Sequence, residues 1–134
     1  MRYLLAITSA ALVTPHSFAD AEMSRTPLTC ESKALPGDRL DISCPLPTKS
    51  DPQRYRFTAN FTGGHDDTMA QLVAGLDDQH LTCEPGSKVS LMAEDGDVSL
   101  FCLFTSPASQ SPHEFQLELS WSHAQYLNFT VTPE

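Results

Sequence analysis

Leu28-Thr29-Cys30-Glu31 returns 53 positions later as Leu81-Thr82-Cys83-Glu84, and the segments after each copy decide the fold. The first copy runs through a Gly37-Asp38 turn into Leu40-Asp41-Ile42-Ser43-Cys44, the second through Gly96-Asp97 into Val98-Ser99-Leu100-Phe101-Cys102. Each then enters a Pro- and Ser-rich loop, residues 45–53 and 105–113, and emerges in a stretch of strict period two. Its apolar positions are Tyr55, Phe57, Ala59 and Phe61 in the first copy and Phe115, Leu117, Leu119 and Trp121 in the second. A last segment closes each copy, Met69 to Leu76 and Tyr126 to Thr132. Alternation places every second side chain on one face of an extended chain, so these segments are strands with one buried side. The shared order of features points to two repeated halves.

Turn signals punctuate the strands at Pro36-Gly37, Gly63-Gly64, Asp77-Asp78, Pro85-Gly86 and Asp95-Gly96. One segment admits a rival reading: Asp67-Thr68 could cap a short helix through Met69, Leu72 and Val73. The strand is preferred, because Leu76-Asp77-Asp78-Gln79-His80-Leu81 reads as a hairpin. Lys88 to Met92 is an additional strand-like piece, and Asp95-Gly96 reads as a two-residue hairpin turn. The expectation is an all-β chain, an antiparallel β-sandwich of about 7–9 strands forming one domain over residues 28–134. Leu40, Ile42, Phe57, Ala59, Phe61, Leu100, Phe115, Leu117, Leu119 and Trp121 should point inward, with Arg39, Asp41, Arg56, Gln116 and Glu118 facing water.

Ahead of this domain, Arg2, the apolar run Tyr3 to Val13 and the small residues of Ser17-Phe18-Ala19 read as a secretory leader over residues 1–19. The run is too short for a spanning helix, so no membrane insertion is expected. Residues 20–27 read as a flexible N-terminus. The expected location is a bacterial periplasm or the extracellular space.

Four cysteines, Cys30, Cys44, Cys83 and Cys102, in an exported chain of this size read as two disulfides. Their spacing lacks the close pairs of a zinc site. Three connectivities are possible. If the halves repeat, each carries its own bridge, Cys30 to Cys44 and Cys83 to Cys102. The first pair also lies seven residues to either side of Gly37, facing across a hairpin. The run Pro36-Gly37-Asp38-Arg39-Leu40-Asp41-Ile42-Ser43-Cys44 resembles the B strand of an immunoglobulin-like domain. That resemblance implies a different bridge, Cys44 to Cys102, across two sheets. No Trp follows Cys44 at the family's distance, and Leu100 stands where the family has Tyr.

The chain has 8 basic and 17 acidic side chains and a formal net charge of −9. Such a balance opposes binding to nucleic acid or an anionic membrane, both of which need clustered Lys and Arg, and suits a basic protein partner. No nucleophile elbow or histidine-pair metal signature is present in the sequence, and catalysis is not expected. No cofactor is expected either. His65-Asp66-Asp67, beside Gly63-Gly64 and close to Met69, is a candidate cation or copper site. Trp121-Ser122-His123-Ala124-Gln125-Tyr126 offers residue types that anchor interfaces. With Trp121 in phase with the core, His123 and Tyr126 become the candidate partner contacts, joined by Asp95 and Asp97 of an acidic loop. Asn60-Phe61-Thr62 and Asn128-Phe129-Thr130 match the glycosylation pattern within predicted strands. The functional expectation is an exported binding protein of the inhibitor or immunity type. A metal-ion or small-ligand carrier and a component of an envelope assembly are the alternatives.

Overall fold

The computed structural model describes residues 26–134; the leader and residues 20–25 of the N-terminal stretch lie outside the described residues. Among the described residues nine strands succeed one another: β1 (Glu31–Leu35), β2 (Arg39–Leu46), β3 (Gln53–Gly64), β4 (Met69–Leu76), β5 (Gln79–Leu81), β6 (Ser90–Met92), β7 (Gly96–Ser106), β8 (His113–Ser122) and β9 (Gln125–Pro133). They form two antiparallel sheets packed face to face. The larger has the order β1-β2-β8-β4-β5, with β6 also on β4, and the smaller has the order β7-β3-β9. Among the described residues no helix is long and apolar enough to cross a membrane. The segment after Asp66, where sequence admits a helix, is the strand β4.

The two halves interleave rather than sit side by side. The first contributes β2 and β4 to the larger sheet, where they flank β8; the second contributes β7 and β9 to the smaller, where they flank β3. Exchanging the halves therefore leaves the central pairing of both sheets unchanged. Register obeys the exchange. Cys44 opposes Phe115 as Cys102 opposes Phe57, Ile42 opposes Leu117 as Leu100 opposes Ala59, and Leu40 opposes Leu119 as Val98 opposes Phe61. Each of these counterparts lies 58 positions from its mate.

Disulfides join Cys30 to Cys44 and Cys83 to Cys102, one within each half. The Cys44 to Cys102 bridge implied by the immunoglobulin resemblance is not formed. Cys44 and Cys102 lie in different sheets, and each is held by the segment preceding its own strand. The halves differ in the linker between bridged cysteines, 14 positions in the first and 19 in the second. The shorter makes the β1–β2 hairpin, turning at Gly37 with its positive φ of 80°. The longer keeps an isolated bridge to β7, Lys88 to Phe101, with the Glu84 amide donating to the Leu103 carbonyl, and sends β6 across to pair with β4. Asp95-Gly96 is consequently a corner between sheets; the hairpin turn expected there is not formed, because β6 and β7 have different partners.

The inward faces supply the core: Ile42, Cys44, Leu46, Leu72, Phe115, Leu117 and Leu119 from one sheet, Tyr55, Phe57, Phe61, Leu100, Phe104 and Val131 from the other. Phe104 stacks on Phe115 across the sheets with centroids 4.0 Å apart. Burial at about 25 cal/mol per Å² makes this layer the principal stabilising term. Leu40 and Trp121, expected inside, are only partly buried and pack against its rim.

Candidate functional site

Two surface features arise from this topology. The first lies at one end of the sandwich, where β3 leaves the smaller sheet. Gly64 allows the chain to pass close beneath the 94–96 corner; a Cβ there would stand 2.3 Å from the Glu94 carbonyl oxygen. The next four residues close on themselves: the His65 amide donates to Thr68 Oγ1 at 2.8 Å, and the Thr68 amide donates to the His65 carbonyl at 3.1 Å. Thr68 is fully buried, and it ties three loops together. Its hydroxyl donates to the carbonyl of His123 in the β8–β9 turn, and its own carbonyl accepts from the Ala93 amide at 2.8 Å.

This staple brings His65, Asp67 and His123 together. Asp67 reaches both imidazoles with separate carboxylate oxygens, Oδ1 pairing with Nδ1 of His65 and Oδ2 lying 3.4 Å from Nδ1 of His123. All three offer their ligand atoms within 4.8 Å of one another, and all three are exposed. Asp66, which the sequence groups with them, is wholly exposed and 3.6 Å from the His65 ring. His123, which the sequence groups with Tyr126, belongs with His65 and Asp67. A signal for this was present, since His65 and His123 are separated by the same 58 positions as Cys44 and Cys102.

The other expected contacts lie apart. Tyr126 is half-buried, stacked on Trp121 at 5.3 Å and edge-on to Phe61 at 6.0 Å; burial raises its phenol above the ordinary tyrosine range. It packs on the rim of the core and keeps part of its side chain at the surface. Asp95 and Asp97 are exposed at the sheet corner, where Asp97 accepts from the Thr62 hydroxyl at 2.8 Å. The two sequon asparagines are used internally: Asn60 Nδ2 donates to Asn128 Oδ1 at 2.8 Å across β3 and β9.

The second feature is an open groove of about 700 Å³ over the outer face of the larger sheet. Period two sets its composition. Glu31, Ser43, Gln116 and Gly75 form one row across β1, β2, β8 and β4, and Lys33, Asp41, Glu118 and Val73 form the next. Gly75 leaves the floor open and admits the Gln79 carbonyl of the β4–β5 hairpin, 3.2 Å from where a Cβ would stand. Asp78 closes one end by accepting from Gln116 Nε2 at 2.9 Å. Glu31, Asp41, Asp78 and Glu118 outnumber Lys33 and His80, the basic residues of the lining. Asp41 and Glu118 stand directly opposite each other, an arrangement that costs stability between adjacent strands. Arg39 relieves it in part by donating to Glu118 at 2.8 Å. Sequence reading placed Asp41, Gln116 and Glu118 correctly toward water but had no means of joining them into one surface.

No family model and no characterised protein sequence matches the chain. Among solved structures it is similar to the C-terminal family 6 carbohydrate-binding module of a marine laminarinase from Zobellia galactanivorans. That match has 9% identity and a TM-score of 0.41, covering 80% of this chain and 90% of that one. It is also similar to a carbohydrate-binding module of lichenase 5A from Cellvibrio mixtus, at 7% identity and a TM-score of 0.36, over 81% of this chain and 88% of that one. A third match, a family 26 mannanase with a carbohydrate-binding module from Podospora anserina, has 12% identity and a TM-score of 0.41; 82% of this chain spans 25% of that larger one. The likeness is one of β-sandwich to β-sandwich.

Proposed function

We propose that the chain is an exported, non-catalytic binding domain of the inhibitor or immunity type, which holds a basic protein against the groove of its larger sheet. The observation that carries this reading is the acidic double row, with Asp41 set against Glu118 and Val73 half-exposed between polar neighbours. A sheet that keeps two carboxylates face to face retains an unfavourable contact in the free protein, and a cationic side chain of a partner relieves it. Export is supported by the leader reading and by two disulfides, which persist in oxidising compartments. A glycan is the less suitable occupant, because sugar rings pack on aromatic faces and the groove lining contains no Phe, Tyr or Trp.

The test is amide chemical-shift mapping of the oxidised chain titrated with basic exported proteins, a lysozyme among them, at low and high salt. Shifts are expected at Lys33, Asp41, Gly75, Gln116 and Glu118, weakening with salt as rim electrostatics requires. Asp41→Asn should weaken binding several-fold, about 0.5–1 kcal/mol, while slightly stabilising the free protein. Absence of binding across such a panel at low salt, or shifts confined to the smaller sheet, would refute the proposal.

A further inference from the structure

The geometry points to a second site at the end of the sandwich, a surface centre for one divalent first-row transition cation, copper or zinc, held by His65, Asp67 and His123. Two imidazoles and one carboxylate are a donor set suited to these ions. A hard cation such as calcium takes six or more oxygens, and the site offers two carboxylate oxygens beside its ring nitrogens.

What distinguishes this cluster from a chance meeting of exposed side chains is its support. The backbone of His65 and that of His123 are fixed to one buried hydroxyl, that of Thr68, which accepts from the first and donates to the second. Loop 65–68 and the β8–β9 turn are thereby locked together although 55 positions separate Thr68 from His123. The residues also occupy corresponding places in the two halves, so each half supplies one imidazole and Asp67 stands between them. Ligand atoms on a tetrahedral ion with bonds near 2.0–2.1 Å are about 3.3 Å apart. Asp67 Oδ2 and His123 Nδ1 already lie 3.4 Å apart, and all three ligand atoms lie within 4.8 Å, so reaching that spacing needs only rotation of three exposed side chains, the Asp67–His65 pair opening slightly, with the backbone held in place. The remaining coordination positions face solvent, as in centres that exchange their ion or admit a fourth ligand.

The experiment is calorimetric titration of the oxidised chain with copper(II), zinc(II) and calcium chlorides, with the copper-loaded protein also examined by electron paramagnetic resonance. One copper or zinc per chain is expected, with no calcium heat, a raised melting temperature in the presence of the bound ion, and nitrogen hyperfine structure from two imidazoles. His65→Ala and His123→Asn should each weaken binding by about tenfold or more, whereas Asp66→Asn should leave it unchanged. Asn is chosen at position 123 because His123 has a positive φ of 55°, which Asn tolerates. No copper or zinc binding by the wild-type chain, a spectrum without imidazole nitrogen, or undiminished binding in the double His65→Ala, His123→Asn variant would each overturn the assignment.

Discussion

Asp77 shows how much one side chain can organise. It occupies the first position of the two-residue β4–β5 turn with φ of 51°, followed by Asp78 at 64°, the left-handed pair that a tight hairpin demands. Its carboxylate accepts from the Glu114 amide at 2.8 Å and pairs with His113 Nδ1 at 2.5 Å, tying the turn to the start of β8. The backbone donor first, and then His113, holds the Asp77 carboxyl below the usual carboxylate range. A folded-state pKa below the unfolded one means that the stabilisation is present above the unfolded pKa and is lost as pH falls through the folded value. Acid titration of stability should therefore show a loss beginning near the ordinary carboxylate range. Asp77→Asn, which keeps an acceptor and tolerates the backbone, should lower stability at neutral pH and flatten that acid limb in thermal unfolding measured from neutral pH downward. The turn itself was legible from Asp77-Asp78; the bonds to His113 and Glu114 were not, because they depend on β4 lying beside β8.

β1 is the element most exposed to loss. Four of its five residues face solvent, and β2 is its only strand partner among the described residues. The bridge from Cys30 to Cys44 clips its start to a buried position in β2. A closed loop of this length contributes about 3 kcal/mol, chiefly by restricting the unfolded chain. The Cys30→Ala, Cys44→Ala variant should lose on the order of 2–4 kcal/mol. Hydrogen exchange should show residues 31–35 opening before the rest of the larger sheet, carrying Glu31 and Lys33 away from the groove. Uniform loss of protection across both sheets would contradict this. The strands of period two, β3 and β8, were legible in sequence because each has one buried face; β6 was legible only as an extended piece, since crossing to β4 is decided by the longer second linker. The groove is likewise a product of strand order, which spacing does not reveal, whereas the meeting of His65 with His123 was marked in the sequence by the 58-position offset they share with Cys44 and Cys102.

The interleaving of the halves predicts that the sandwich unfolds as a single cooperative body. A fragment ending after β4 would hold β2 and β4 without β8 between them and β3 without either neighbour, exposing Phe57, Phe61 and Leu72 together. Fragments 26–77 and 78–134 should each be unfolded alone by circular dichroism and should recover the native spectrum when mixed in their oxidised forms. A folded spectrum from either fragment alone would show that the halves are independent.

The described ends of the domain are arranged in a similar way, though not at the same offset. Leu28 donates its amide to Val131 at 2.8 Å, as Leu81 pairs with Ala74 beside the Asp77-Asp78 turn. The gap between the last strand and the first repeat motif is thus the unjoined copy of that turn. Joining residue 134 to residue 26 by a short linker and opening the chain between Asp77 and Asp78 would yield a circular permutant in which second half precedes first, yet every strand keeps its neighbours. Which half comes first is for this architecture a matter of where the ring is cut.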